Sequence, residues 1–365
     1  MAFDSVKKNF GFGCMRLKMN GDEVDYAEFN RMIDKFIGAG FNYFDTAHGY
    51  INGKSETAIR DCLTARYKRE DFILANKLSG WFFEKKEEIL PLFESQLELC
   101  GVEYFDFYLF HSMNKELYEK HKALGSFDIV KKLKEEGKIK HIAMSFHDTA
   151  ELLDTILAQQ PSIEVVQLQF NYLDFDDPSV QSKACYDVAV KHGKKIMIME
   201  PVKGGTLVNL PSEAAKMLDE WNGGSYASFA LRYAASFPGV IMVLSGMGNM
   251  DMMDDNLNTF GDFNPLSEDE FKLADRLRET IRKVRQIPCT ACRYCTEVCP
   301  KNIDIPEIFS TYNKYLAAKI TKSEAKRSLP DGLHAGDCIK CGKCEKNCPQ
   351  NIAIRDHLEK VAKWK

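Results

Sequence analysis

Eight of the twelve cysteines fall in two tight runs near the C-terminal end of the 365 residues. The first run is Cys289, Cys292, Cys295 and Cys299, followed by Pro300. The second is Cys338, Cys341, Cys344 and Cys348, followed by Pro349. In each, three thiolates separated by two residues can wrap a tight loop around three iron corners of a cubane. The fourth comes after three residues, before a proline that turns the chain away. Zinc is the competing reading, but structural zinc usually takes two separated Cys-x2-Cys pairs in one tetrahedral site. Three evenly spaced cysteines plus Cys-Pro, twice over, fit iron–sulfur chemistry better. The other four cysteines, Cys14, Cys62, Cys100 and Cys185, are scattered and read as small buried hydrophobes. Cys14 stands apart from them, because it ends the first predicted strand and could face a pocket.

Such ligands need a scaffold. Residues 305–318 carry Ile308, Tyr312, Tyr315 and Leu316 at helical spacing, 323–328 fit a short charged helix, and 352–365 fit a closing one. A charged helix over 268–285 leads into Pro288, so the module is expected to be mostly α-helical. Composition is that of an ordinary globular chain, 45% apolar and 28% charged. The net charge of −4 gives no reason to expect nucleic acid or an anionic membrane as partner. No apolar run approaches the ~20 residues of a membrane span. The Lys7-Lys8 pair is followed by no apolar signal segment, and clustered thiols suit a reducing compartment, so a cytoplasmic location is expected.

Upstream, residues 1–265 alternate short β-rich runs with charged helical stretches. The runs are 9–14, 41–45, 72–77, 105–111, 139–145, 165–170, 196–200 and 240–245. Helices are expected at 26–38, 55–66, 89–99, 127–136, 150–158, 178–192 and 226–236. Eight such units predict an α/β fold, a parallel (β/α)8 TIM barrel. A doubly wound sheet is the alternative, but no Gly-x-Gly-x-x-Gly follows the first strand. The expected division is a barrel over 1–265, a linking helix over 266–287 and an iron–sulfur domain over 288–365. Asp45, Lys77 and His111 each end a predicted strand, and in a barrel strand ends converge on one mouth.

With FDTAHGY ending at Tyr50, ILANK ending at Lys77 and FYLFH ending at His111, the N-terminal part resembles the aldo-keto reductase family. The cysteine module resembles a bacterial 2×[4Fe–4S] ferredoxin domain of the helical kind. The first resemblance implies a catalytic tetrad of Asp45, Tyr50, Lys77 and His111 that interconverts a carbonyl compound and an alcohol. A ketone accepting hydride needs a proton, which Tyr50 supplies if its pKa, ~10 when unperturbed, is lowered. A Lys77 ammonium would lower it, Asp45 would keep Lys77 charged, and His111 would orient the carbonyl. His48 is a further candidate wall of the pocket. The second resemblance implies crossed ligation. Cys289, Cys292, Cys295 and Cys348 would hold one cluster, and Cys338, Cys341, Cys344 and Cys299 the other.

Cofactor positions follow the family less closely. Ser145 and Gln167 align with residues that hold the nicotinamide carboxamide, and Asp255 and Asn256 with a Glu-Asn pair near the adenine. Met199 replaces the usual stacking aromatic, and Gly204 and Gly246 are candidates for backbone approach to a diphosphate. Residues 244–257 contain three aspartates and no Lys or Arg, which tilts NAD(P) binding toward NAD. Hydride moves two electrons and a cluster one, so coupling them needs a splitter, normally a flavin. Three readings follow. The clusters link a carbonyl reductase to an electron carrier such as a ferredoxin or flavodoxin; they are structural; or they reduce substrate directly and no nicotinamide binds. A plain electron-transfer protein is the alternative outside enzymology. The basic stretch 131–140 reads as solvated surface, with docking of an acidic ferredoxin as the sharper reading.

Overall fold

A computed structural model describes residues 6–284, 286–317, 319–329 and 335–364. The chain forms two compact units, Met1–Pro201 with Leu231–Leu266, and Val202–Ala230 with Ser267–Lys365.

The first unit is a closed barrel of eight parallel strands. They are β1 (Phe10–Gly13), β2 (Tyr43–Asp45), β3 (Ile73–Leu78) and β4 (Phe105–Met113), then β5 (Ile139–Phe146), β6 (Val165–Gln169), β7 (Lys195–Met199) and β8 (Val240–Ser245). Each strand pairs with its sequence neighbours, and β1 closes the ring by pairing with both β2 and β8. All eight predicted runs are therefore strands. A short antiparallel ribbon, Met19–Asn20 with Glu23–Val24, lies outside the barrel sheet. Side-chain alternation decides what faces inward. Tyr43, Ala75, Leu109, Ala143, Val165, Met197 and Leu244 form the buried apolar plug. Two positions further along, the same inward face reaches Asp45, Lys77, His111, Ser145, Gln167, Met199 and Gly246. The polar residues thus occupy the first inward layer above the apolar one.

The helices begin where local hydrogen bonding allows. Asp25 accepts from the Glu28 amide at 3.0 Å, Asn114 from Leu117 at 2.9 Å and Asn249 from Met252 at 3.0 Å. Among the described residues, five helices lie outside the expected ones: Lys115–Ala123, Ser212–Trp221, Met250–Gly261 and the short Tyr294–Glu297 and Lys343–Lys346. The first, KELYEKHKA, buries only Tyr118 and His121, too few for a visible apolar stripe. The helix expected at 178–192 begins only at Ser182, because the Asp177 carboxylate instead accepts from the Ser179 amide in a turn. The one expected at 55–66 runs Lys54–Ile59 and widens to a π-turn over Arg60–Thr64.

In the second unit, helices Ser212–Trp221 and Glu268–Arg282 pack together, with Lys283 3.7 Å from Glu213. Gly204, left-handed at φ 60°, lies so close to Thr290 that a Cβ would fall 2.2 Å from the Thr290 carbonyl oxygen. Val202–Ala230, which follows β7 in the chain and falls within the expected barrel over 1–265, groups instead with the cysteine-rich unit. The rest is helical: Tyr294–Glu297, Ile305–Leu316, Lys322–Ser328, Lys343–Lys346 and Ile354–Ala362. Its core includes Ile303, Ile305, Phe309, Ile352, Ile354 and Leu358. The two cysteine runs are backbone repeats of each other. Ala291, Arg293 and Asn302 are left-handed in the first; Lys340, Gly342 and Asn351 are left-handed at the equivalent places in the second. A non-glycine residue there costs on the order of 1 kcal/mol. A bend adopted twice at that cost is one each loop requires.

Candidate active site and cysteine-lined cavities

At the barrel mouth a buried ion pair forms the base of the site. Lys77 Nζ donates to Asp45 Oδ1 at 2.5 Å and to the Thr46 carbonyl at 2.8 Å, and both side chains are at most 5% exposed. The ammonium sits 4.7 Å from the centroid of the Tyr50 ring. That ring meets His111 edge-on, with centroids 5.9 Å apart. Asp45, Tyr50, Lys77 and His111 therefore surround one point, although Tyr50 comes from the loop after β2 and the others from three strands. Beyond His111, β4 bulges at Ser112 (φ 52°), whose amide donates to Ser145 Oγ at 2.7 Å.

Burial sets the electrostatics. It raises the Asp45 carboxyl and lowers the Lys77 ammonium, each opposed by attraction to the other, and the Gln167 side chain also steadies the carboxylate. Desolvation, then the Lys77 charge, holds His111 well below the ordinary histidine range, so its imidazole is neutral. Ser79 Oγ lies 2.6 Å from His111 Nδ1 and fixes the ring. Cys14 is fully buried near the Asp45–Lys77 pair, and burial first, then Asp45, keep it a protonated thiol.

His48 joins a deeper network. Its Nδ1 is 2.8 Å from Glu56 Oε2, and the fully buried Glu56 also accepts from Asn76 at 2.8 Å. Gln96 donates to the Lys77 carbonyl at 3.0 Å and to Asn76 Oδ1 at 3.1 Å, and it accepts from Tyr108 at 2.6 Å. The network grips the β3 backbone that presents Lys77.

Among the cofactor candidates, Ser145 and Gln167 are buried and stand side by side in register on β5 and β6. The Ser145 hydroxyl accepts from Ser112 and keeps its own proton to donate, which suits a carboxamide oxygen. Met199 is half-buried and Gly246 exposed. Asn256 donates to Ser245 Oγ at 3.1 Å; Asp255 lies beside it on the helix after β8. Gly204 belongs to the second unit, and the space beside it is filled by Thr290.

Other residues at this mouth gave no sequence signal. Ser79 and Arg16 are single residues in no motif. Arg16 pairs with Glu200 at 3.4 Å, and its stem covers Gly246. Trp81 is 44% exposed with its ring 4.9 Å from His111, and Phe82 is 43% exposed and 4.8 Å from His48. These rings wall the mouth with apolar surface. The stretch 131–140 is largely neutralised: Lys132 pairs with Glu136, Lys134 with Glu164 and Lys140 with Asp106.

Two cavities in the second unit are each walled by four cysteines. One is lined by Cys289, Cys292, Cys295 and Cys348. The other is lined by Cys338, Cys341, Cys344 and Cys299. Each combines three cysteines of one run with the last of the other. Ile305 lines both. Burial pushes the Cys295 thiol up to about 12 and the Cys344 thiol up to about 11. A donor set of this kind suits a group that brings its own positive charge. The Lys340 amide already donates to Cys338 Sγ at 3.4 Å.

Among the described residues, no helix is long and apolar enough to cross a membrane. The model of the aldo/keto reductase family matches residues 9–279, and that of a 4Fe-4S dicluster domain matches 288–353. An uncharacterized oxidoreductase of Bacillus subtilis is 23% identical over 76% of this chain and 94% of its own length. A 9,11-endoperoxide prostaglandin H2 reductase of Trypanosoma cruzi is 26% identical over 71% of this chain and 85% of its own. Two solved structures share the fold. An aldo-keto reductase from Bacillus halodurans superposes with TM-score 0.61 at 24% identity, covering 74% of this chain and 91% of that one. One from Klebsiella pneumoniae, in complex with NADPH, gives 0.59 at 19%, covering 74% and 90%. The chain is a member of the aldo/keto reductase family, an oxidoreductase barrel followed by a 4Fe-4S dicluster domain.

Proposed function

We propose that the barrel interconverts a small carbonyl compound and an alcohol, with Tyr50 as general acid/base, and that iron–sulfur clusters held by the eight cysteines relay electrons to or from that chemistry. The observation that carries this reading is the buried Asp45–Lys77 pair directly beneath the Tyr50 ring, with neutral His111 at its edge. A lysine whose proton is loosened by burial can pass it to the phenol as the phenol protonates the nascent alkoxide. Neutral His111, with Nδ1 held against Ser79, presents its other nitrogen to the carbonyl oxygen. Trp81 and Phe82 exclude water from an apolar substrate.

Ser145, Gln167, Met199, Gly246, Asp255 and Asn256 are the residues that would hold a nicotinamide nucleotide, which supplies hydride when bound. NAD is favoured over NADP. Residues 244–257 lack a basic side chain, and the nearby Arg16 is engaged by Glu200. A bound flavin is the natural splitter between hydride and single electrons. Substrate is a small molecule and the expected location is the cytoplasm. The second reading, direct one-electron reduction without a nicotinamide, is favoured by Met199, which stands where the family has an aromatic to stack on the nicotinamide.

An anaerobic visible spectrum, taken before and after NADH and then NADPH, tests the proposal. Bleaching of the iron–sulfur absorbance by NADH supports the relay and directs the search to a flavin. Clusters left oxidised by both nucleotides, yet bleached by dithionite, would favour the second reading.

A further inference from the structure

The two cysteine-lined cavities differ in what surrounds them. Around Cys289, Cys292, Cys295 and Cys348, Thr290 is 1% exposed beneath Gly204, and Arg293 is paired with Asp304 at 2.6 Å. The run itself, 289–299, carries one arginine and one glutamate. The other cavity opens on the surface. Cys341 is exposed, and Ile339 beside it is 57% exposed, the most open large apolar side chain among the described residues. Its run, 338–348, carries Lys340, Lys343 and Lys346 against a single carboxylate, Glu345. Lys301, also exposed, lines the same cavity. Two carboxylates nearby are already engaged: Glu345 with Arg355 at 2.6 Å, and Glu359 with Lys340 at 3.0 Å and Lys363 at 2.9 Å. Lys301, Lys343 and Lys346 are left with no carboxylate in ion-pair range among the described residues.

Building on the relay reading, we infer that this face docks an acidic one-electron carrier protein, with Ile339 as the apolar centre of the contact and Lys301, Lys343 and Lys346 as its charged rim. Complementary charge raises the rate of encounter, and a small apolar centre suits a transient complex that must separate after each electron. The transfer is simple in balance. One electron would leave the reduced carrier's redox centre for the cluster that Cys338, Cys341, Cys344 and Cys299 would hold, with no bond formed or broken. The stretch 131–140 lacks this character because most of its cations are paired within the barrel.

The test uses the anaerobic holoprotein and a flavodoxin, a small acidic FMN protein, as probe. Binding is measured by titration calorimetry between about 20 and 300 mM salt, and cluster bleaching by the photoreduced probe is followed in parallel. Combining Lys301→Glu, Lys343→Glu and Lys346→Glu should weaken binding at low salt by roughly ten-fold or more and slow bleaching alike. Bleaching by a free photoreduced flavin should stay unchanged. Ile339→Ser should weaken binding at every salt concentration. The pair Lys131→Glu and Lys132→Glu should do nothing. Equal binding by wild type and the triple variant would overturn the surface, as would an equal loss in the barrel pair. The relay reading fails separately: reduced clusters that no carbonyl substrate re-oxidises would sink it while leaving the docking result standing.

Discussion

Asp45 holds its charge at a depth where neither member of the pair would ionise alone, so each depends on the other. Lys77→Met strands a buried carboxylate, and a broken pair of this kind costs about 3–5 kcal/mol. Thermal or urea unfolding should show that loss, and Asp45→Asn added to Lys77→Met should recover much of it with activity still absent. Asp45→Asn alone removes the attraction that opposes desolvation of Lys77, so the lysine pKa falls further. Carbonyl reduction needs the proton, so the alkaline limb of its kcat/KM profile should move to lower pH; a profile that stays in place would separate Lys77 from proton supply. Strand ends made Asp45, Lys77 and His111 legible, because barrel geometry itself brings such positions together. Ser79, Arg16 and the Glu56 network were not legible. Their partners lie tens of positions away, and no spacing rule connects them.

At the level of elements, short β-branched and aromatic runs bounded by charged helices were enough to find all eight strands, since parallel barrel strands are covered on both faces and read as nearly continuous apolar runs. Helices failed where the stripe was thin, as in Lys115–Ala123. That helix carries His121, fully buried against Phe83 and Phe110, with a pKa near 3 set by desolvation and then by Lys120. The unfolded chain takes up a proton near pH 6.5 that the folded chain refuses until about 3. Stability from this site is therefore complete above pH 6.5 and drains away as the pH falls toward 3, by about 2–3 kcal/mol at pH 4.5. His121→Phe should flatten the fall, which melting temperatures at several pH values would register. An unchanged slope would place the acid sensitivity elsewhere.

For the whole molecule, composition and motif spacing told of a barrel and a cysteine module, but not that Val202–Ala230 packs with the latter. It rests on contacts such as Gly204 against Thr290 and Lys283 against Glu213, between residues far apart in sequence. Gly204→Ala, facing a 2.2 Å clash and a left-handed backbone, should disturb the loop that carries Cys289 and Cys292. Iron and acid-labile sulfide per chain should then fall below two clusters' worth, with empty chains beside filled ones; full content would show that the loop can give way. The exchange of the last cysteine between runs has a consequence for assembly inside the cell. Neither cavity can be completed while the opposite run is unformed, because each lacks a wall until the other chain segment arrives. Loading should therefore be concerted, and a cell short of iron would hold a mixture of fully equipped and empty chains, with few in between. Native mass spectra of protein expressed under graded iron supply would then show two populations changing in proportion, with the intermediate mass nearly absent.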